Sequence, residues 1–329
     1  MILPVLGALV IVFALGMYVL LDGFDLGVGI LLLTSRNEAQ RDAMVESIAP
    51  IWDGNETWLI LVGVTLLAAF PIAYSTVLPA LYLPVLIMLI ALGFRGISFE
   101  FRFQTTRYRK IWDAAFSCGS TVAAFCQGLI VGSALNGLPA DIAASDRGPF
   151  SFLSGFGLLT AVTTVVGYAM LGAAWLNWRT NDSLQKRAAI AFRRASCIFA
   201  LLACLCIAAL VTGASPAAQA WIEHRPMFVG LGVVAGALWI LCWRAIGNAP
   251  GRARLYASAL IGVFLVGIVL IVWPFIVPFS ITIWDASAPP GSQLLLLGGI
   301  ACMLPAVLGN AVYVYWTFRR KPLAAANER

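Results

Sequence analysis

Asp22 and Asp25 stand three residues apart in LLDGFDLGVG, inside a stretch that is otherwise apolar from Leu3 to Leu33. An ionised carboxylate is costly in hydrocarbon, so an acid kept there faces a polar interior, a water chain or a cation. A spacing of three puts both carboxylates on one helix face. A second pair, Asp53 and Glu56, lies in IWDGNETW, with Asn55 between them and Trp52 and Trp58 on either side. A third polar island, FRGISFEFRF from Phe94 to Phe103, supplies Arg95, Glu100 and Arg102. An arginine beside a carboxylate holds it in the charged form. Carboxylates joined by water relay protons, and that is the chemistry these residue types suit. Each also has a plainer reading. Asp53 suits a helix cap, and the two tryptophans suit an interfacial belt. Arg102, and less so Arg95, suits anchoring at a basic membrane face. Gly23 and Gly27, four apart, suit close approach of another helix.

The elements that must position these residues follow from composition. The chain has 329 residues, is 61% hydrophobic and 11% charged, and has a mean hydropathy of +0.92. An average soluble domain carries about 25% charged residues, so this is an all-α polytopic membrane protein, a single transmembrane helical domain over residues 1–329. Apolar stretches long enough to span, about 17–25 residues each, predict nine transmembrane helices. They fall near Leu3–Leu33, Thr57–Phe70 (starting near Ile51), Tyr74–Phe94, Trp112–Leu135, Phe152–Leu176, Ser196–Gly213, Met227–Trp243, Leu255–Pro278 and Leu294–Phe318.

With the N-terminus outside, all but two of the 21 basic residues fall on the inner face, Arg147 and Arg225 being the exceptions. This is the distribution expected of cytoplasmic loops, and it puts the C-terminus in the cytoplasm. The net charge of +6 is spread over these loops and does not indicate nucleic-acid binding. The first basic residue is Arg36, so no charged region precedes the first helix as in a signal peptide, and that helix is expected to stay in the mature protein. Exterior loops are expected at Ala140–Pro149, with Asp141 and Asp146, and at Ser280–Ser292. In this topology Asp22, Asp25, Asp53 and Glu56 all gather near the inner leaflet.

Six segments carry a resemblance. DGFDLGVG, SIAPIWDGNETWLI (Ser47–Ile60), FRGISFEFR (Phe94–Arg102), FCQGLIVG (Phe125–Gly132), WPFIVPFSITIWDASAP (Trp273–Pro289) and YVYWTFRRK occur in this order over nearly the whole chain. Together they resemble subunit II of cytochrome bd-type quinol oxidases, and the short length resembles the cyanide-insensitive branch. The resemblance implies two four-helix bundles plus one peripheral helix, paired with a similarly built, haem-bearing subunit I in the bacterial cytoplasmic membrane. It implies a complex that oxidises quinol and reduces O2 to water with protons from the cytoplasm. Haems b and d, or b-type variants, would lie in subunit I and none in this chain. A structural quinone, a small accessory subunit and membrane lipid are compatible with it, and nucleic acid is not. The motif match further implies a proton pathway of Asp53, Asp25, Asp22 and Glu56. Trp52, Asn55, Trp58, Arg95 and Glu100 would shape and support its mouth. Asp22 has an alternative role as a structural acid bonded to an arginine or to backbone.

The donor inventory agrees with a haem-free chain. Haem iron most often takes histidine, and there is one histidine, His224, in an expected exterior loop. The seven cysteines fall in predicted helices without a Cys-x-x-Cys pair, as buried small hydrophobes rather than metal ligands or disulfides. Two other classes fit part of the pattern. A secondary transporter would use the acids for ion coupling, but such proteins repeat their broken helices in two halves. Here Glu100 and Asp285, expected in loops, are poor counterparts. A purely structural subunit would shield its neighbour's cofactors, which the 11 Trp and 19 Phe suit.

Overall fold

The computed structural model describes residues 2–35, 37–105, 107–138, 150, 152–213 and 215–317. The expected exterior loop with Asp141 and Asp146, and the basic residues Arg36, Arg147, Arg319, Arg320, Lys321 and Arg329, lie outside the described residues. In chain order the helices are α1 (Ile2–Leu32), α2 (Glu38–Glu46), α3 (Trp52–Ala69), α4 (Pro71–Ala80), α5 (Tyr82–Gln104), α6 (Arg109–Leu135), α7 (Gly155–Arg179), α8 (Asp182–Thr212) and α9 (Pro216–Glu223). Then come α10 (Arg225–Ala245), α11 (Pro250–Val272), the strands β1 (Phe275–Val277) and β2 (Ile281–Thr282), and α12 (Pro290–Thr317). Eight of these helices are long and apolar enough to cross a membrane. α3 is not among them, because its first two turns hold Asp53, Asn55 and Glu56.

Prolines account for several departures from the hydropathy reading. Tyr74–Phe94 is not one helix: α4 starts at Pro71, and Leu81, with φ −115° and ψ 23°, separates it from α5. Pro84 lacks the N–H that would bond back to Ala80, and its ring crowds that carbonyl. α5 then runs on to Gln104, so the island from Phe94 to Phe103 is helical and Glu100 lies on a helix instead of in a loop. α11 stops at Val272, short of the expected Pro278, where Pro274 and Pro278 exclude further helical bonding. The chain there turns through the antiparallel pair β1–β2, with Phe275 opposite Thr282 and Val277 opposite Ile281.

Other departures come from polar residues that hydropathy does not count. α8 begins at Asp182, well before the expected Ser196, so Lys186, Arg187, Arg193 and Arg194 stand on helix rather than in a loop. Lysine and arginine are good helix formers, and their stems lie along apolar surface while the charges reach water. α2, unforeseen, is a short helix capped by Asn37, whose Oδ1 accepts from the Ala39 N–H at 2.9 Å.

α1 is the hub. It packs against α3, α6 and α7, and more lightly against α11 and α12. α5 lies on α6, α7 on α8, and α10 on α11. α12 sits outermost, with Gln293 its one buried residue among those described. The outer faces of the long helices are apolar and exposed, as at Leu201, Val233, Leu295 and Met303, which is the surface a bilayer covers.

Candidate functional site

Every residue of α1 from Asp22 to Gly29 is buried. A helix closed in on all sides needs small residues wherever a neighbour's backbone comes near. A Cβ on Gly27 would run into the Tyr168 carbonyl oxygen of α7 and lie 2.7 Å from the Gly172 nitrogen, and Gly172 in turn abuts Gly27. A Cβ on Gly23 would stand 2.9 Å from the Tyr168 ring. The packing reading of these glycines is therefore correct. Gly29 makes the same allowance for Ser120 of α6.

Into this enclosed turn α5 delivers a guanidinium. Gly119 of α6 lets α5 come close: a Cβ there would be 2.8 Å from the Ala91 carbonyl and 3.3 Å from the Arg95 nitrogen. Arg95 Nη1 lies 2.9 Å from Asp22 Oδ1, and both side chains are 0% exposed. Asp25, one turn further along α1, is equally buried but has an amide in place of a cation: Asn55 Nδ2 donates to Asp25 Oδ2 at 2.7 Å. Asn55 is itself held by α12, where the Tyr315 hydroxyl donates to Asn55 Oδ1 at 3.1 Å. Asp22 Oδ2, Asp25 Oδ1 and Arg95 Nε have no hydrogen-bond partner among the described residues. Such buried polar atoms are the usual binding partners of ordered water. A short chain lies beside the pair: Tyr168 donates to Gln127 Oε1 at 2.6 Å, and Gln127 Nε2 donates to the Tyr18 hydroxyl at 2.8 Å.

The expected mouth residues divide into two groups. Asp53 is exposed in the first turn of α3, and Glu56, one turn further in, is half-buried within the electrostatic reach of Asp53, Asp22 and Arg95. Asp53 does not cap the helix; the position before α3 is Ile51, and no side chain caps it. Trp52 packs on Phe99, with ring centroids 4.9 Å apart, and Arg95 sits 5.9 Å from its ring. Trp58 does not face outward: it is buried against Ala14 and Tyr18 of α1. Glu100 is exposed on α5 and makes no ion pair among the described residues, so the structure does not bring it to the acids.

Arg102 was expected as an anchor and is instead buried in a second network. Asp113 of α6 accepts from Arg102 Nε at 2.6 Å and from Arg41 Nε of α2 at 2.7 Å. Arg102 also reaches Asp42 at 2.6 Å, and Arg109 binds both Asp42 and Glu38. These bonds tie α2 to α5 and α6 at the end of the molecule that carries Asp53. The sequence reading missed Asp113, Gln127 and Tyr315. A lone acid early in an apolar helix, and a glutamine within FCQGLIVG, were the signals that could have found two of them.

The donors present do not fit a haem. His224 is exposed at the junction of α9 and α10, its Nδ1 3.1 Å from the Ala220 carbonyl. Among the described residues no cluster of His, Cys, Asp or Glu has the makings of a metal site. All seven cysteines are free. Only Cys126 and Cys242 are buried as expected; Cys118, Cys197, Cys204 and Cys302 are exposed on helix faces.

Fold and site together define an all-helical, multi-pass membrane protein with paired charges enclosed around one end of its central helix. Residues 3–318 match the family described as cytochrome bd terminal oxidase subunit II, and the chain belongs to that family. It is 28% identical over 339 residues to the cytochrome bd-I ubiquinol oxidase subunit 2 of Escherichia coli (strain K12), covering 90% of this chain and 88% of that protein. It is 26% identical over 319 residues to the cytochrome bd ubiquinol oxidase subunit 2 of Bacillus subtilis (strain 168), covering 92% of this chain and 91% of that one. The fold matches a chain of the bd oxidase structure from Geobacillus thermodenitrificans with a TM-score of 0.81 at 16% identity, covering 98% of this chain and 100% of that one.

Proposed function

We propose that this chain is the haem-free subunit II of a quinol:O2 oxidoreductase, supporting a haem-bearing subunit I and feeding it protons from the cytoplasm. In this reading α3 is the ninth span, its polar first turns lying at the inner membrane face. The helices then form two four-helix bundles, α1, α3, α4–α5 and α6 in one and α7, α8, α10 and α11 in the other, with α12 peripheral. The near absence of buried residues on α12 supports that arrangement.

The observation that carries the proton reading is the contrast between two buried acids on one helix. Asp22 has a counter-charge of its own in Arg95, whereas Asp25 has the Asn55 amide. A proton arriving at Asp22 would break an ion pair. A proton arriving at Asp25 neutralises a charge that has no dedicated counter-ion. Asp25 is thus the member suited to exchange protons, and Asp22 is assigned the structural role. Asp53, exposed, collects protons from bulk water; Glu56, half-buried, passes them inward; and bound water spans the gaps to Asp25.

The test is Asp53→Asn in the assembled oxidase. The variant is expected to keep normal haem content and to lose about tenfold in quinol-driven O2 consumption, or about 1.4 kcal/mol of barrier. Asp25→Asn acts in the same direction. Wild-type turnover in a well-assembled Asp53→Asn complex would remove the proton-entry role and leave a subunit that only shields its neighbour.

A further inference from the structure

Arg95 faces one oxygen of Asp22, Oδ1, at 2.9 Å. The other, Oδ2, is buried and accepts from no described residue. A donor with an unused proton stands beside it. Tyr18 is buried one turn before Asp22 on α1, on the same face and within its electrostatic reach. A phenol hydroxyl carries one proton and also accepts. Here it accepts, from Gln127 Nε2 at 2.8 Å, so its proton is left for another partner. Gln127 is held in that sense by Tyr168, which donates to Gln127 Oε1 at 2.6 Å. One chain thus runs from α7 through α6 to α1 and ends beside Asp22. Gly23, next to that acid, lets the Tyr168 ring rest directly on α1.

The acid sets the sense of this chain. With the amide reversed, Tyr18 would donate to Gln127 and turn only lone pairs toward Asp22. An ionised carboxylate has only lone pairs to offer in return. Two acceptors facing each other in a dry interior leave both unsatisfied, which costs more than one ordinary hydrogen bond returns. The sense with Gln127 donating gives each of the three side chains a partner and points the last proton at the acid.

We propose that Gln127 is a positioning residue: held by Tyr168, it turns the Tyr18 hydroxyl proton toward Asp22, directly or across one ordered water, and so fixes that carboxylate opposite Arg95. The proposal rests on the division of roles between the two acids, because an Asp22 kept in its ion pair leaves Asp25 to exchange protons.

The experiment uses the assembled oxidase carrying Tyr18→Phe, Tyr168→Phe or both. Each change removes a hydroxyl and keeps the ring, so the packing on α1 is preserved. O2 consumption at saturating quinol is expected to fall about fivefold in Tyr18→Phe, the effect of one ordinary hydrogen bond. Tyr168→Phe, which acts at one remove, is expected to lose about threefold, within the same range. The double variant is expected to be no slower than Tyr18→Phe, because the Tyr168 hydroxyl acts only through the Tyr18 proton. Gln127→Met, of similar length and without the amide, is expected to match Tyr18→Phe. Hydroxyls that only stabilise the fold would lower thermal stability additively and leave turnover of the assembled complex unchanged. That result overturns the proposal, as does multiplication of the two losses in the double variant. Asp25→Asn, measured in parallel, tells two failures apart. Slow turnover there with wild-type turnover in Tyr18→Phe keeps the proton reading and overturns the positioning role. Wild-type turnover in Asp25→Asn removes the proton reading and the proposal with it.

Discussion

Asn55 on α3 donates a 2.7 Å hydrogen bond to Asp25 on α1, and its own carbonyl accepts from Tyr315 on α12 at 3.1 Å. The amide thereby has a fixed orientation, with its donor toward the acid and its acceptor toward the outer helix. An amide does not carry a proton onward under ordinary conditions, but it sets where the Asp25 carboxyl points. It also links the outermost helix to one of the two fully buried acids of α1.

This link is testable through the amide. Asn55→Leu keeps the branched outline of the side chain and removes both bonds. The oxidase is expected to assemble with normal haem content and lose about tenfold in O2 consumption, about 1.4 kcal/mol in barrier. Tyr315→Phe removes only the outer bond, worth about 0.5–1.5 kcal/mol, and is expected to act in the same direction and less strongly. Full turnover in Asn55→Leu would show that Asp25 needs no amide to orient it.

The Arg95–Asp22 pair makes a stability prediction. Both partners are fully buried, so Arg95→Met leaves an unpaired carboxylate in the interior. Breaking a buried pair from one side costs about 3–5 kcal/mol, while replacing both partners costs far less. Arg95→Met is expected to lower the thermal stability and yield of the complex, and Arg95→Met with Asp22→Leu to recover most of both. A single variant as stable as wild type would mean that the pair contributes nothing to holding α1 against α5.

Contact between α1 and α7 rests on glycine at Gly27. Even one added methyl overlaps the α7 backbone, and forced overpacking costs about 1–3 kcal/mol. Gly27→Ala is expected to reduce assembly, measured as haem-loaded complex per unit membrane. Gly16→Ala is the control, since a Cβ at Gly16 has nothing within 4 Å. Equal assembly of the two variants would contradict the close crossing.

His224 supplies a spectroscopic prediction. It is exposed at a helix junction, and the proposed haem sites lie on another subunit. His224→Ala is expected to leave the reduced-minus-oxidised spectrum of the complex unchanged. Loss of one haem signal in that variant would assign an axial ligand to this chain.

The sequence by itself determined the membrane class, most of the spans and the pairing of Asp22 with Asp25 on one face of α1. Hydropathy sums along the chain and a helix repeats every 3.6 residues, so both properties are local. Where helices are prolonged by charged residues, as at the start of α8, or interrupted by proline, as at Leu81, the apolar count misplaces their ends. Partner choice was beyond a linear reading. Arg95 and Arg102 stand in the same motif, yet one binds Asp22 and the other Asp113 and Asp42. Tyr315 reaches Asn55 across 260 residues, and Trp58 faces α1 while Asp53 faces outward from the same helix. Which face of a helix meets which neighbour depends on rotation about its axis and on where glycines let backbones approach. Those are properties of the packed bundle, and only the tertiary structure decides them.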